Sequence, residues 1–230
     1  MDFEFDIHFL HGTISLLISI ALLPMLLSAI LSNTFAKQLQ KKLIYLLLLN
    51  ITWNSLALLE QLPASYITDS TRMTFYILGV FCWIQYGYAI FCIIIDLAGN
   101  NLRPGWKTVQ RFLNGWNLLG ILLCLFTGFS GYFYTGITLN WYGYTAENSQ
   151  FANIAILLFL ILPVALAAII AFQSIRTNAY RIHRVIFSIC ATSIIAGFLL
   201  DAILPAFGLF IYAESASIFL FIANFHRQCD

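Results

Sequence analysis

Charged residues are scarce in this sequence. Asp, Glu, Lys and Arg make up 9% of its 230 residues, whereas hydrophobic residues make up 61%. A typical soluble domain is about 25% charged, so this composition excludes a soluble domain. The few charges separate long apolar runs, and a hydrocarbon core about 30 Å thick needs roughly 20 apolar residues per helix. The sequence therefore predicts an integral membrane protein.

Seven apolar runs account for well over half of the chain. We predict an all-α membrane protein in which residues 1–230 form a single seven-transmembrane helix bundle. Pro163 lies inside the fifth run, where a missing backbone N–H should kink the helix. The expected spans are residues 8–32, 43–62, 73–95, 112–131, 151–172, 185–204 and 208–225.

The basic residues alternate with these runs. Ten of the eleven Lys and Arg residues follow the first, third, fifth or seventh run, and Arg72 is the exception. Short loops rich in Lys and Arg stay cytoplasmic during insertion. The pattern therefore predicts an N-terminus outside the membrane and a C-terminus in the cytoplasm. The start of the chain is acidic and lacks a basic signal-peptide region, so we expect the first span to be retained.

Several chemical signatures are missing. The sequence has no GxSxG motif, no Gly-rich phosphate loop and no metal-hydrolase motif, so no catalytic residue and no cofactor is predicted. Every lysine falls in a predicted cytoplasmic segment, which excludes a retinal Schiff base within a span. Four of the five cysteines fall inside runs, as expected of small buried apolar residues. Membrane topology explains the basic clusters, and no nucleic-acid partner is predicted.

Ionisable residues within the runs need an explanation, because charge in a bilayer is costly. Glu60, Asp201, Glu214 and His11 all fall near the predicted outer ends of spans. Three interpretations stay open. The acids reach water or headgroups, they form a polar pocket for a ligand, or they form a metal or proton site with His8 and His11.

Polar and aromatic residues recur at helical spacing in the second and third runs. A buried Trp or Tyr needs a partner for its N–H or O–H and therefore tends to face other helices or a cavity. Interhelical packing and a ligand pocket explain this pattern about equally well. The two stripes are Asn50, Trp53 and Asn54 in the second run, and Tyr76, Val80, Trp83 and Gly87 in the third. The predicted ligand-binding residues are Trp53, Asn54, Glu60, Tyr76, Trp83, Asp201 and Glu214.

The longest predicted outer segment, residues 132–150, is rich in Tyr, Trp and Phe. Aromatic rings of this kind gather at the headgroup level of a membrane. The segment is thus either an aromatic belt at the interface or a lid over a cavity that opens to the outside.

Loose patterns in the chain resemble the N-terminal seven-transmembrane sensor region of bacterial membrane histidine kinases and related signalling proteins. They extend over nearly the whole chain and are weak one by one. The patterns are Asn50-Ile-Thr-Trp53 leading to Leu59-Glu60, the aromatic segment 83–88, Trp141, Arg181-Ile-His-Arg184, and the run from Asp201 to Gly208.

This resemblance implies a receptor in the bacterial inner (plasma) membrane rather than an enzyme. It would bind a small, mostly apolar or lipid-like ligand in the outer half of the bundle and signal to a cytoplasmic module such as a histidine kinase. A homodimer is plausible by the same analogy. No phosphorylatable-His helix follows the last run, so we expect a truncated sensor portion. The alternatives are a small-solute transporter or channel, and an intramembrane metal-dependent enzyme.

Overall fold

A computed structural model describes residues 37–62, 64–98, 105–128, 134–140 and 143–177, with isolated residues between 13 and 28 and between 188 and 196. A π-helical turn at Leu157–Ile161 joins the last two helices of this part of the chain. The elements in chain order are α1 (Lys37–Glu60), α2 (Asp69–Ala98), α3 (Gly105–Gly128), β1 (Tyr134–Asn140), β2 (Gly143–Asn148), α4 (Gln150–Ile156) and α5 (Leu162–Thr177).

Four helical segments are long and apolar enough to cross a membrane, and they coincide with the second to fifth predicted spans. They confirm those spans as helices of transmembrane length and composition. The predicted spans 185–204 and 208–225 and most of 8–32 lie outside the described residues. The four segments are Lys37–Glu60, Asp69–Ala98, Gly105–Phe126 and Gln150–Arg176.

Helix α2 lies at the centre of the described bundle. In its most apolar stretch 78% of residues are buried, against 33% in α1 and 17% in α3. Ile90, Phe91, Ile93 and Ile94 are fully buried on successive faces of α2, so the helix is surrounded on all sides. Helix α3 instead exposes large apolar side chains, as expected where the surrounding solvent is hydrocarbon. These are Phe112, Leu118, Leu119, Leu122, Leu125 and Phe126.

A β-hairpin departs from the all-α prediction. Strands β1 and β2 pair antiparallel, and Asn140 lies opposite Gly143 at the turn. A bulge between Tyr134 and Gly136 leaves Thr135 as the extra residue, and its hydroxyl donates to the Glu147 carbonyl at 3.2 Å. The segment alternates polar residues with β-branched and aromatic ones, and this composition favours a strand. The segment predicted to be an aromatic belt or a lid therefore contains a β-hairpin.

The hairpin lies near the ends of α1 and α2 that carry Glu60 and Arg72 (the hairpin end). The opposite end of the same two helices carries Lys42 and Asp96 (the lysine end). Their side chains form an ion pair at 2.7 Å, and the Lys42 ammonium also donates to the Cys92 carbonyl at 3.3 Å. The two ends thus differ in chemistry, because the lysine end carries an ion pair and the hairpin end is covered by a β-hairpin.

Pro163 accounts for the irregular path between α4 and α5. In a regular α-helix the carbonyl of Phe159 would need the N–H of residue 163, which proline lacks, and the ring would collide with that carbonyl. The π-helical turn Leu157–Ile161 shifts each carbonyl to the N–H five residues on. The expected kink is therefore a local change of hydrogen-bond register.

Two glycines on neighbouring helices make room for this turn. A Cβ atom added at Gly120 in α3 would lie 2.6 Å from Cδ1 of Phe159, and one added at Gly87 in α2 would lie 3.0 Å from the Leu160 carbonyl oxygen. The Phe159 ring also stacks on Trp116, with centroids 4.8 Å apart. The absence of a side chain at both positions allows the wider π-helical turn to pack between α2 and α3.

We expect Gly120→Ala to destabilise the protein and Gly115→Ala to stabilise it or leave it unchanged. The methyl group at Gly120 meets the Phe159 ring, and such overpacking costs about 1–3 kcal/mol. Nothing lies within 4 Å of a Cβ at Gly115, which precedes Gly120 on the same helix, and alanine favours the helix by about 1 kcal/mol. Thermal unfolding of both variants in detergent micelles measures the difference. Equal unfolding temperatures would contradict the close packing of Phe159 against Gly120.

Candidate ligand-binding site at the hairpin end

Arg72 organises the hairpin end. It lies in the first turn of α2, which Thr68 caps by accepting the Thr71 N–H at 3.3 Å, a common N-cap arrangement. The Arg72 side chain is fully buried. Its guanidinium donates to the Glu60 carbonyl and, at 2.7 Å, to the Leu62 carbonyl. These groups end α1 and lack helical partners, so Arg72 serves as their cap and complements the negative end of the helix.

The hairpin packs directly on this arginine. The guanidinium carbon of Arg72 lies 3.5 Å from the centroid of the Tyr144 ring, within the range of a cation–π contact. The Nε atom of Arg72 is buried and has no hydrogen-bond partner among the described residues. One buried donor of the cation is thus unused by the described part of the chain, although its other nitrogens and its face are occupied.

Two further side chains hold the hairpin to the helices. The Gln61 amide donates to the Tyr144 carbonyl at 3.0 Å and accepts the Tyr144 N–H at 2.8 Å, so it pairs with β2 as a strand backbone would. The Tyr76 hydroxyl donates to the Asn148 side chain at 2.5 Å. Three side chains of the helix ends therefore fix β2 in place.

Tyr134 completes the contact from the other strand. Its ring meets Tyr76 edge-on, with centroids 6.1 Å apart, and burial raises the pKa of the Tyr134 phenol above its ordinary value. The phenol is therefore neutral at physiological pH. Both strands of the hairpin contact Tyr76, which makes this side chain the meeting point of helix α2 and the hairpin.

Glu60 is half-buried at the end of α1. Its carboxyl group lies within electrostatic range of Arg72 and Tyr76. Within the described part of the chain, however, the ion pair closer than 4 Å is Lys42–Asp96, and Glu60 forms none with Arg72. The arginine lies beside Glu60 but hydrogen-bonds its main chain.

Trp53 and Trp83 meet between α1 and α2. Their rings stack with centroids 5.5 Å apart and an interplanar angle of 20°, and both are half-buried. Gly79 lies against Trp53, since a Cβ there would be 3.5 Å from its Cδ1 atom. Trp83 follows Tyr76 by seven residues, or about 10 Å along the helix. The indole pair therefore forms an apolar surface two turns deeper than the hairpin contacts.

Asn54 is buried and bonded within its own helix. Its amide donates to the Asn50 carbonyl at 2.9 Å and to the Asn50 side chain at 3.2 Å. The pattern of Asn50, Trp53 and Asn54 thus has two uses, since the asparagines satisfy each other and the tryptophan contacts α2.

Polar pairs that the sequence patterns did not reveal join the helices at mid-depth. Buried Gln85 exchanges two hydrogen bonds with Asn117 of α3, at 3.0 and 3.2 Å, and accepts from Tyr45 of α1 at 3.3 Å. The Tyr88 hydroxyl donates to Asn114. A glutamine inside an apolar run was the available signal, because a buried amide in a span needs a partner on a neighbouring helix.

The other predicted site residues are not all placed. Asp201 and Glu214 lie outside the described residues, as do His8 and His11 of the possible metal site. Within the described part, no group of three His, Cys, Asp or Glu side chains is arranged to hold a metal ion. Cys82, Cys92 and Cys124 are buried free thiols, as expected. The structure thus brings together Trp53 with Trp83, and places Glu60 within electrostatic range of Tyr76.

No family model, curated protein or solved structure matches the chain. Function is therefore argued from the site itself, since fold alone does not determine function.

Substituting Arg72→Gln should release the hairpin. The variant loses the cation–π contact with Tyr144, which is worth about 0.5–2 kcal/mol, and the guanidinium hydrogen bonds that fix the end of α1 next to the hairpin. We therefore expect roughly tenfold faster amide exchange in the hairpin, since about 1.4 kcal/mol corresponds to a factor of ten. Hydrogen–deuterium exchange of a peptide covering residues 143–148 measures this. Arg176→Gln is the matched control, because Arg176 is exposed and lies over Phe172, 4.3 Å from the ring centroid. Equal protection in both variants would contradict the role of Arg72.

Proposed function

We propose that the chain is the membrane receptor region of a signalling protein, which binds a small, mostly apolar ligand at the hairpin end of its helix bundle. In this proposal the bundle has seven spans, with the N-terminus and hairpin outside and the lysine end in the cytoplasm of a bacterial cell. The bound state would be passed to a cytoplasmic signalling module such as a histidine kinase, and two copies of the chain would act as a homodimer.

The observation that carries the proposal is the hairpin over the ends of α1 and α2. It is held by side chains of Gln61, Arg72 and Tyr76. Contacts of this kind are each worth about 1 kcal/mol, or somewhat more for charged donors, so a ligand can compete with them. A ligand moves such an element when it binds one arrangement better than another. The hairpin is therefore suited to report a ligand bound at this end of the helices.

The chemistry of this end favours an apolar ligand with one acceptor group. The buried Nε donor of Arg72 lacks a partner among the described residues and suits a carboxylate, carbonyl or hydroxyl oxygen. Deeper along the helices, the half-buried Trp53 and Trp83 rings offer apolar surface. A fatty acid or fatty alcohol combines these two features, as does a lipid-like signal in general.

Transport is the less favoured alternative. A transporter or channel needs polar groups that face a path across the bilayer. The mid-depth amides Gln85 and Asn117 instead pair with each other, and Asn54 pairs with Asn50. These side chains are used for helix packing, which favours a closed bundle that relays a change of shape.

A straight-chain fatty acid should raise the unfolding temperature of the protein in lipid nanodiscs, whereas the alkane of equal length should not. A ligand at 100 times its Kd stabilises the state it binds by about 2.7 kcal/mol. Differential scanning fluorimetry measures this, and Trp83→Ala should reduce the effect of the acid. If the acid, the matching alcohol and the alkane all act alike on both proteins, lipid partitioning explains the effect and the site is excluded.

Glu60→Gln should change signalling while leaving expression intact, because it replaces the carboxyl group beside Arg72 with an amide but keeps the side-chain shape. The measurement is kinase autophosphorylation in a fusion of residues 1–230 to a cytoplasmic histidine kinase module, with and without the fatty acid. Glu147→Gln on the exposed side of the hairpin is the matched control. Unchanged phosphorylation in both variants would remove Glu60 from the mechanism.

A further inference from the structure

The π-helical turn Leu157–Ile161 lies between the hairpin and the long helix α5, and none of the contacts assigned to the ligand site involves it. Strand β2 ends at Asn148, and Ser149 caps α4 by accepting the Ala152 N–H at 3.1 Å. Its carbonyl also accepts the Asn153 N–H at 3.1 Å. The hairpin, α4, the π-helical turn and α5 therefore follow one another without a flexible linker, so a movement of the hairpin acts directly on α4.

The π register leaves one carbonyl without a main-chain donor. In this register the Leu158 carbonyl would pair with the N–H of residue 163, which is proline. In the α register the orphaned carbonyl would instead belong to Phe159. Both registers thus leave a carbonyl near Pro163 without its main-chain donor, so a side-chain donor to that carbonyl favours one register over the other.

Trp116 favours the π register. Its indole N–H donates to the Leu158 carbonyl at 3.3 Å, and its ring stacks on Phe159. The Phe159 ring in turn packs directly against Gly120, where a side chain is absent. The donor thus comes from α3 and reaches the carbonyl whose main-chain partner in the π register would be Pro163.

We propose that Leu157–Ile161 is a helix-register switch, held in its π state by Trp116, that lets α4 rotate by about 100° and shift by about 1.5 Å relative to α5. The rotation follows from helix geometry, because a change from π to α register moves the preceding residues by one helical position. Residue 155 would then take the exposed place of Ile154. The register change itself does not depend on the proposed receptor function. Only the assumption that a ligand moves the hairpin rests on that function.

The packing around the turn fits such a movement. The α4 face formed by Ala152 and Ala155 is buried in a small cluster with Ile77 and Val80. Alanine side chains are small, so they interlock little with neighbouring residues and oppose rotation only weakly. Helix α5 buries Val164, Ala167, Ile170 and Ala171 in the main core. We therefore expect α4 to rotate while α5 keeps its place until the core rearranges.

Ala155→Cys provides the reporter for the test. Ala155 is 5% exposed and Ile154 is 59% exposed, so a thiol at position 155 is protected in the π register and accessible in the α register. The rate of its reaction with N-ethylmaleimide is measured for the full chain in nanodiscs without any ligand, with the parent chain correcting for the native cysteines. The readout is thus independent of whether the protein is a receptor.

Trp116→Phe should raise that rate about fivefold, since it removes the indole donor and keeps a stacking ring. Trp106→Phe is the matched control, because Trp106 also lies on α3 and donates its indole N–H to the α5 residue Gln173 at 3.0 Å. Its rate should equal that of the reporter alone. If both tryptophan variants react alike, the register switch is wrong.

Deletion of Ile161 distinguishes a register change from general loosening. Removing one residue eliminates the π-helical turn but leaves α4 in its present rotation, because the turn already absorbs one residue. In the deletion background the thiol should stay protected, and Trp116→Phe should no longer raise its rate. A fivefold rise that persists there would overturn the proposal. If the deletion prevents folding, the comparison of the two tryptophan variants decides alone.

Discussion

Polar groups within a bilayer have no water to bind, and this constraint shapes the described bundle. Each polar side chain placed in hydrocarbon must find a partner on the protein. The central helix α2 supplies most of these partners. Gln85 joins it to α1 and α3, Asp96 joins it to Lys42, and Arg72 caps the end of α1. Polar contacts thus fix how the helices align, while apolar surface fills the space between them.

Much of this could be predicted from the sequence. The second to fifth spans follow from run length alone, because a helix must cover a fixed thickness of hydrocarbon. The disturbance at Pro163 follows from its missing donor. The β-hairpin was not expected, since the same Tyr and Trp residues that favour strands also favour the membrane interface. Local composition did not separate these two explanations.

The site was harder to predict than the spans. Periodicity placed Trp53 and Trp83 on inward faces, but their stacking depends on the rotation of two helices about their axes, which no single helix encodes. The same holds for Gln85 and Asn117, whose pairing requires α3 to lie beside α2. The charge of Arg72 alone would favour an acidic partner. Its actual partners are main-chain carbonyls, which a sequence pattern does not mark.

These contacts suggest how the two ends of the molecule communicate in the proposed receptor. The hairpin end has its polar contacts between the helices and the hairpin, where a ligand can compete for them. From there a continuous path of chain leads through α4 and the π-helical turn into α5, which packs on the central helix. In this arrangement the signal is a rotation of one helix segment, and the mid-depth amide pairs keep the rest of the bundle aligned while it occurs.

The π-helical turn also has an evolutionary consequence. It contains one residue more than a regular helix needs to join the same two faces, so the loss of one codon would restore a regular helix. A relative with one residue fewer there would have a regular helix, and it would not need a glycine at the position of Gly120. The missing residue and a larger side chain at the position of Gly120 should therefore be inherited together.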